Sequence, residues 1–328
     1  MINFEYTRVS TVKAAIDALA KNPTGGFIAG GTNLVDLMKK GVTAPTRLID
    51  INNLPLKQIE DSAAGLKIGS LALDSAIAEN ETVKKKYPLL AMALNAGASA
   101  QLRNAATAGG NMMQRTRCTY FYDTTMPCNK RQPGSGCGAA EGYNRMHAIF
   151  GASNKCIAVH PSDMCVALAA LNATVTVSGP KGERKILFTD FHRLPGDNPE
   201  KDNTLQKGEL VTGIIVPANS FNKNYYLKIR DRASYAFALV SVAAALEVNS
   251  STIKTARLAM GGVAHKPWRL TEAEKFLMGK AATKENFTAA AELAMKGAKG
   301  YGHNNFKVKM GMAAIVEGLM KATSPNLS

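Results

Sequence analysis

Val12, Ala15, Ile16 and Leu19 recur at the three- and four-residue spacing of a single helix face, and Asn22-Pro23 ends the run. Residues 11–21 therefore read as an amphipathic helix. The next apolar group, Phe27-Ile28-Ala29, reads as a short buried strand. Gly30-Gly31 makes a tight turn, and Leu34, Leu37 and Met38 mark a helix that closes at Gly41. "TRLIDI" (46–51) and "LKIGSLAL" (66–73) read as further strands, and residues 86–113 as mainly helical with a break at Gly109-Gly110. From 114 to about 158 periodicity disappears, in a segment rich in Pro, Gly, Asn and Ser and too long for a routine connection.

Order resumes at "HPSDMCVALAALNATVTV" (160–177). There Ser162 or Asp163 caps a helix bearing Leu168 and Leu171, and a strand follows. The polar stretch "PGDNPEKDNTLQKG" leads to the strand "ELVTGIIVP", and "PANSFNKN" (217–224) reads as a domain boundary. Beyond it "YYLKI", "FALVSVAAALEV" and "TIKTARLAMGGVA" predict a short sheet, and 271–322 reads as helical throughout. The pattern predicts an α+β chain of two domains, 1–222 and 223–328, with an insertion at about 114–158.

Composition adds limits. No 18-residue apolar run occurs, which excludes insertion into a membrane as a helix, and the first residues, with Glu5 and polar breaks, lack the apolar core of a secretory signal. The formal charge of +15 points to an anionic partner: nucleic acid, a phosphorylated cofactor or acidic subunits. The basic residues are scattered, however, and runs are as short as Lys84-Lys85-Lys86, which fits a solvated basic surface better than a nucleic-acid footprint.

Three motifs carry candidate chemistry. Ala29-Gly30-Gly31-Thr32-Asn33 joins a strand to a helix start through glycines, an arrangement that presents N–H groups to a phosphate or simply makes a turn. Thr107-Ala108-Gly109-Gly110-Asn111 repeats the Gly-Gly turn flanked by Thr and Asn. Two such turns would serve the two sides of a diphosphate. Neither is G-x-G-x-x-G, so a nicotinamide site gains little support. The third motif is the thiol set. All five cysteines lie between 118 and 165, and Cys118, Cys128, Cys137 and Cys156 fall in the aperiodic segment. Their gaps include no C-x-x-C, which weighs against structural zinc. A [4Fe–4S] cluster, zinc and free thiols all stay open. Tyr120, Phe121 and Tyr122 would shield such a cluster from water, and Lys130 and Arg131 would offset its charge. Cys165, on the predicted helix, reads as a buried core thiol, and His160 as structural.

Taken together, "FIAGGTNLVDLM", "TAGGNMMQRTRC", "HPSDM" and "KIRDRASYAFALVSVAAAL" resemble the FAD-binding subunits of molybdenum hydroxylases, the xanthine dehydrogenase and carbon monoxide dehydrogenase family, along essentially the whole chain. "RTRCTYFYDTTMPCNKRQPGSGC" and "GGVAHKPWR" are similar to the branch of bacterial periplasmic aldehyde oxidoreductases whose flavoprotein subunit has an added [4Fe–4S] loop.

The resemblance implies a vanillyl-alcohol-oxidase-type FAD-binding domain of two α+β subdomains, then a smaller domain of short β-sheet plus helices. It implies that Phe27, Ile28, Ala29, Gly30, Gly31, Thr32, Asn33 and Leu34 wrap the FAD diphosphate and that Thr107 to Asn111 supply a second donor loop. Asp163 would contact the ribityl chain, Val211 would lie beside the flavin and Lys228 near its isoalloxazine. Gly97 stands where many relatives have an aromatic residue over the ring. Cys118, Cys128, Cys137 and Cys156 would hold the [4Fe–4S] cluster.

The resemblance further implies an electron-transfer subunit of a heterotrimeric aldehyde oxidoreductase. The molybdenum cofactor would sit on a large partner and [2Fe–2S] clusters on a small one. No acid–base catalytic residue would be needed on this chain. Export to the periplasm would depend on a partner's signal; otherwise the chain is cytoplasmic. Two other classes remain at this stage: a stand-alone flavin oxidase or reductase, and a zinc-stabilised nucleic-acid-binding protein.

Overall fold

The computed structural model describes residues 1–324; the last four positions of the expected C-terminal domain, 325–328, lie outside it. At the N-terminus β1 (Glu5–Arg8), β2 (Gly26–Ile28) and β3 (Arg47–Asp50) form a parallel sheet in the order β1-β3-β2. Parallel neighbours need crossovers, and the helix Val12–Lys21 supplies the first. Thr11 caps it by accepting from the Ala14 amide, and Ala15 packs on Ile49 and Leu54.

The central sheet is antiparallel: β4 (Ile59–Ser62), β5 (Gly65–Gly69), β6 (Thr174–Gly179), β7 (Gly182–Leu187) and β8 (Leu210–Pro217), in the order β4-β5-β8-β6-β7. The chain between β5 and β6 carries the helices Pro88–Ala96 and Asp163–Ala170, both part of the main core, and the cysteine segment. The third sheet, also antiparallel, joins β9 (Lys223–Ile229), β10 (Val240–Asn249), β11 (Thr252–Gly261) and β12 (Trp268–Arg269) in the order β12-β11-β10-β9. Strand β10 is buried on both faces. Val240, Val242, Ala244 and Leu246 join the core under the C-terminal helices, whereas Ala243 and Ala245 join the main core with the central sheet. Small residues on the second face let the two layers approach closely.

Several expectations are corrected. Residues 271–322 are three helices, Thr271–Leu277, Lys284–Ala294 and Phe306–Thr323, because Gly279, Gly297 and Gly302 adopt positive φ between them. Residues 86–113 likewise divide into Pro88–Ala96, Ala100–Arg103 and Ala108–Met112. The strand expected over 66–73 stops at Gly69. Strands β1, β4 and β7 had no expectation attached; each is short and polar, and pairing rather than alternation holds it.

The cysteine segment is not a free loop. It contains only the single-turn helices Thr119–Tyr122 and Gly138–Glu141, yet it is tied to the C-terminal domain. The amides of Ile149 and Phe150 donate to Val263 at 2.8 and 3.0 Å. Asn144 donates to the Tyr301 carbonyl at 2.7 Å, and the fully buried Lys307 to the His147 carbonyl at 2.8 Å.

Candidate functional site

The two Gly-Gly turns meet. A cleft of about 310 Å³ is lined by residues 27–34, together with Thr107, Gly109, Gly110, Arg115, Leu210 and Val211. Gly31 turns at φ +70°, after which the helix Leu34–Lys39 begins. Among the described residues, the amides of Gly30, Gly31, Thr32 and Asn33 donate to no protein acceptor. Consecutive free N–H groups at a helix start form an anion-binding concavity.

The second turn behaves differently from expectation. The amides of Ala108, Gly109 and Gly110 are already committed to Ala72 O, Ser70 O and Thr107 Oγ1, and that of Asn111 to Thr107 O. This turn therefore shapes the cleft wall, and the uncommitted amides are those of the first. Ala108 is buried in the core, and Asn111 is a brace whose Nδ2 donates to Asp74 at 2.7 Å while its Oδ1 accepts from Ser162 Oγ at 2.6 Å.

Asp163 sits at the start of the helix Asp163–Ala170, buried, in a second pocket of about 130 Å³. Lys228 Nζ donates to one of its oxygens at 2.7 Å and Tyr226 OH to the other at 2.8 Å. Burial beside this carboxylate raises the Tyr226 phenol well above its ordinary value, so it stays a donor. Lys228 also donates to Ala96 O at 2.9 Å, and Gly97 is so near that a Cβ there would lie 3.5 Å from Asp163 Oδ2. Asp163, Lys228 and Gly97 are thus brought together. Val211 stands apart from them, in the wall of the first cleft.

Cys118, Cys128, Cys137 and Cys156 line a single small void with Tyr120, Phe121 and Lys130. None forms a disulfide. Burial, the largest cause, pushes the Cys118 thiol up to about 12 and the Cys156 thiol up to about 11. Neighbouring thiols add to both shifts. Ionising them therefore needs a cationic partner. Among the described residues, no three of these sulfurs lie within 4.8 Å of one another.

Tyr120 and Phe121 close the void as anticipated. Tyr122 instead faces Arg117, which donates to its hydroxyl at 2.6 Å. Arg131 is a staple, donating to the carbonyls of Tyr120 and Phe121 at 2.8 and 2.9 Å and to that of Met126. Lys130 is buried and pairs with Asp202.

Sequence reasoning missed several residues of this region. Arg115 borders the cleft, with its guanidinium over Phe121 and 2.7 Å from Asp202. Thr116, Arg117, His147, Phe237, Ser241 and the third Gly-Gly pair, Gly261-Gly262, line the second pocket. "RTRC" and "GGVA" were visible as motifs, but nothing local told that they converge. Cys165 is fully buried, as read. It gathers with His160 and His192, whose Nε2 atoms both face the Met112 carbonyl, in a buried core cluster in which His192 Nδ1 has no partner among the described residues.

Comparison with known proteins accords with this geometry. The family described as the FAD binding domain in molybdopterin dehydrogenase matches residues 2–219, and the CO dehydrogenase flavoprotein C-terminal domain matches residues 225–317. The chain is 51% identical to the aldehyde oxidoreductase FAD-binding subunit PaoB of Escherichia coli, over 83% of this chain and 85% of that protein. It is 32% identical to the glyceraldehyde dehydrogenase medium chain of Sulfolobus acidocaldarius, over 84% and 82%. Among solved structures, carbon monoxide dehydrogenase from Hydrogenophaga pseudoflava superposes with a TM-score of 0.77 at 25% identity, covering 98% of both chains.

Proposed function

We infer function from a membership that two matched domains and a 51% identical relative establish: this chain belongs to the FAD-binding subunits of the molybdopterin dehydrogenases, an oxidoreductase component. The finer reading is that it holds both FAD and a [4Fe–4S] cluster in a heterotrimeric aldehyde oxidoreductase. A large partner would carry the molybdenum cofactor and a small one [2Fe–2S] clusters. There an aldehyde and water become a carboxylic acid, releasing two electrons and two protons. The electrons leave through this chain to an external acceptor.

The residues fit both groups. The free amides from Gly30 to Asn33 suit a diphosphate. Asp163, fixed by Lys228 and Tyr226, retains lone pairs for the hydroxyls of a ribityl chain. Four reduced thiols around one void suit a cubane. When bound, FAD supplies a carrier that takes electrons one at a time from iron–sulfur clusters and releases them singly or in pairs; the protein's part is to bind, orient and tune. Lys228 holds positive charge beside Asp163, where it offsets charge gained by a reduced ring. The net charge of +15 suits docking on acidic partners, and co-export with a signal-bearing partner would place the complex in the periplasm.

The observation that carries this reading is that Cys118 and Thr116 line both the thiol void and the pocket of Asp163, so the two cofactors would share a wall. Anaerobic purification with spectroscopy and metal analysis tests it. The expected result is bound FAD with four irons per chain, and Cys128→Ser should lose iron while keeping most of the flavin. Zinc without flavin would discard the assignment, and unchanged iron in the variant would overturn the ligand set.

A further inference from the structure

His147 is the histidine that, among the described residues, hydrogen-bonds one of the four thiols: its Nε2 lies 3.1 Å from Cys118 Sγ. The side chain is buried, with 5% exposure. Its backbone is held at three points. Its amide donates to Asn144 O at 3.0 Å, and its carbonyl accepts from Lys307 Nζ at 2.8 Å and Asn304 Nδ2 at 3.2 Å. The ring also lines the pocket that contains Asp163, so His147 stands between the thiol void and that pocket.

We propose that His147 is a positioning residue for redox tuning: its Nε2–H donates to the Cys118 sulfur and biases a bound [4Fe–4S] cluster toward the reduced state. This rests on the cluster reading given above. A metal-bound thiolate has no proton and only accepts, so the imidazole must carry its hydrogen on Nε2. The other tautomer would set a lone pair against the thiolate and leave Nδ1–H as an unpaired buried donor, since Nδ1 has no partner among the described residues. One-electron reduction adds one negative charge to the cluster, and the proton stays on Nε2. A fixed donor aimed at a ligand sulfur stabilises that added charge strongly in a buried site. Phe121 and Tyr120 amides also approach this sulfur, but backbone donors come with the loop whatever its side chains. His147 is the adjustable contact, contributed from outside the immediate turn.

The test is a redox titration of the anaerobically purified complex, followed by the paramagnetic signal of the reduced cluster. His147→Phe keeps the bulk and removes the donor. At a fixed potential its ratio of reduced to oxidised cluster should fall about tenfold, a shift of roughly 59 mV to lower potential. His147→Gln, which retains an N–H, should recover much of that loss. A phenylalanine variant with full iron and the wild-type midpoint overturns the proposal, as does a glutamine variant that titrates with the phenylalanine one. Should His147→Phe not assemble its cluster, the wild-type complex labelled with ¹⁵N-histidine decides. A hyperfine coupling from histidine nitrogen to the reduced cluster supports the bond, and none overturns it. Wild type lacking iron strikes the cluster reading itself, a result separable from all of these by metal analysis.

Discussion

A methyl group at Gly30 would lie 1.8 Å from the carbonyl oxygen of Ala105, a backbone atom with nowhere to go. The sequence reading reached this glycine by arguing that a ligand must approach it; the structure shows that the other glycine-bearing segment presses on it first. The residue was legible and its reason was not, because the contact spans 75 positions that no local pattern connects. The consequence for binding is similar. Gly30→Ala must part the two walls of the cleft, and flavin affinity should fall by about tenfold or more, ~1.4 kcal/mol, measured by flavin retained after desalting. Gly41→Ala serves as the comparison: Gly41 has positive φ, +71°, and faces open space. It should cost about 1 kcal/mol of stability and leave flavin in place. Equal flavin retention in the two variants would remove the packing argument.

Three helices, Asp74–Glu79, Ala108–Met112 and Asp163–Ala170, are knotted by a polar chain running from Asp74 through Asn111 to Ser162. The last of these was readable from its cap and its apolar run. The middle one was not, since a five-residue helix shows no periodicity. The knot is electrostatically costly. Burial pushes the Asp74 carboxyl up to about 6, with the Asn111 hydrogen bond opposing the shift only in part. A carboxyl raised in the folded state binds more protons folded than unfolded, so stability is highest below its unfolded value and falls as pH rises through about 6. Asp74→Asn cannot ionise and keeps an acceptor for Asn111. The variant's stability relative to wild type should therefore improve by about 1.5 kcal/mol between pH 5 and pH 8 in urea unfolding. A gap that does not change with pH would mean that Asp74 is not held as a buried acid.

Across the whole molecule, charge ties together parts that hydrophobic patterning leaves separate. The polar stretch at 195–208 reads from sequence as a mere connection, yet its Asp202 is the common partner of Lys130 in the thiol segment and Arg115 at the cleft. These partners lie 72 and 87 positions away, beyond any local pattern. Both cations hold the Asp202 carboxyl far below its usual value, although burial acts against them. The pairing therefore persists above ordinary carboxylate pH and is lost only in strong acid. Lys130 is the vulnerable member. Its side chain is 1% exposed, and among the described residues its ammonium has, apart from Asp202, only the Pro199 carbonyl, at 2.7 Å. Asp202→Asn preserves shape but strands that charge, and removing one partner of a buried pair costs about 3–5 kcal/mol. The loss should appear in chemical unfolding, and iron should be lost before flavin, because Lys130 lines the thiol void and the Gly30 turn does not. Lys130→Met added to Asp202→Asn removes the stranded charge and should restore most of the stability. An Asp202→Asn protein within about 0.5 kcal/mol of wild type would show that solvent reaches Lys130 and that the two segments are joined by packing alone.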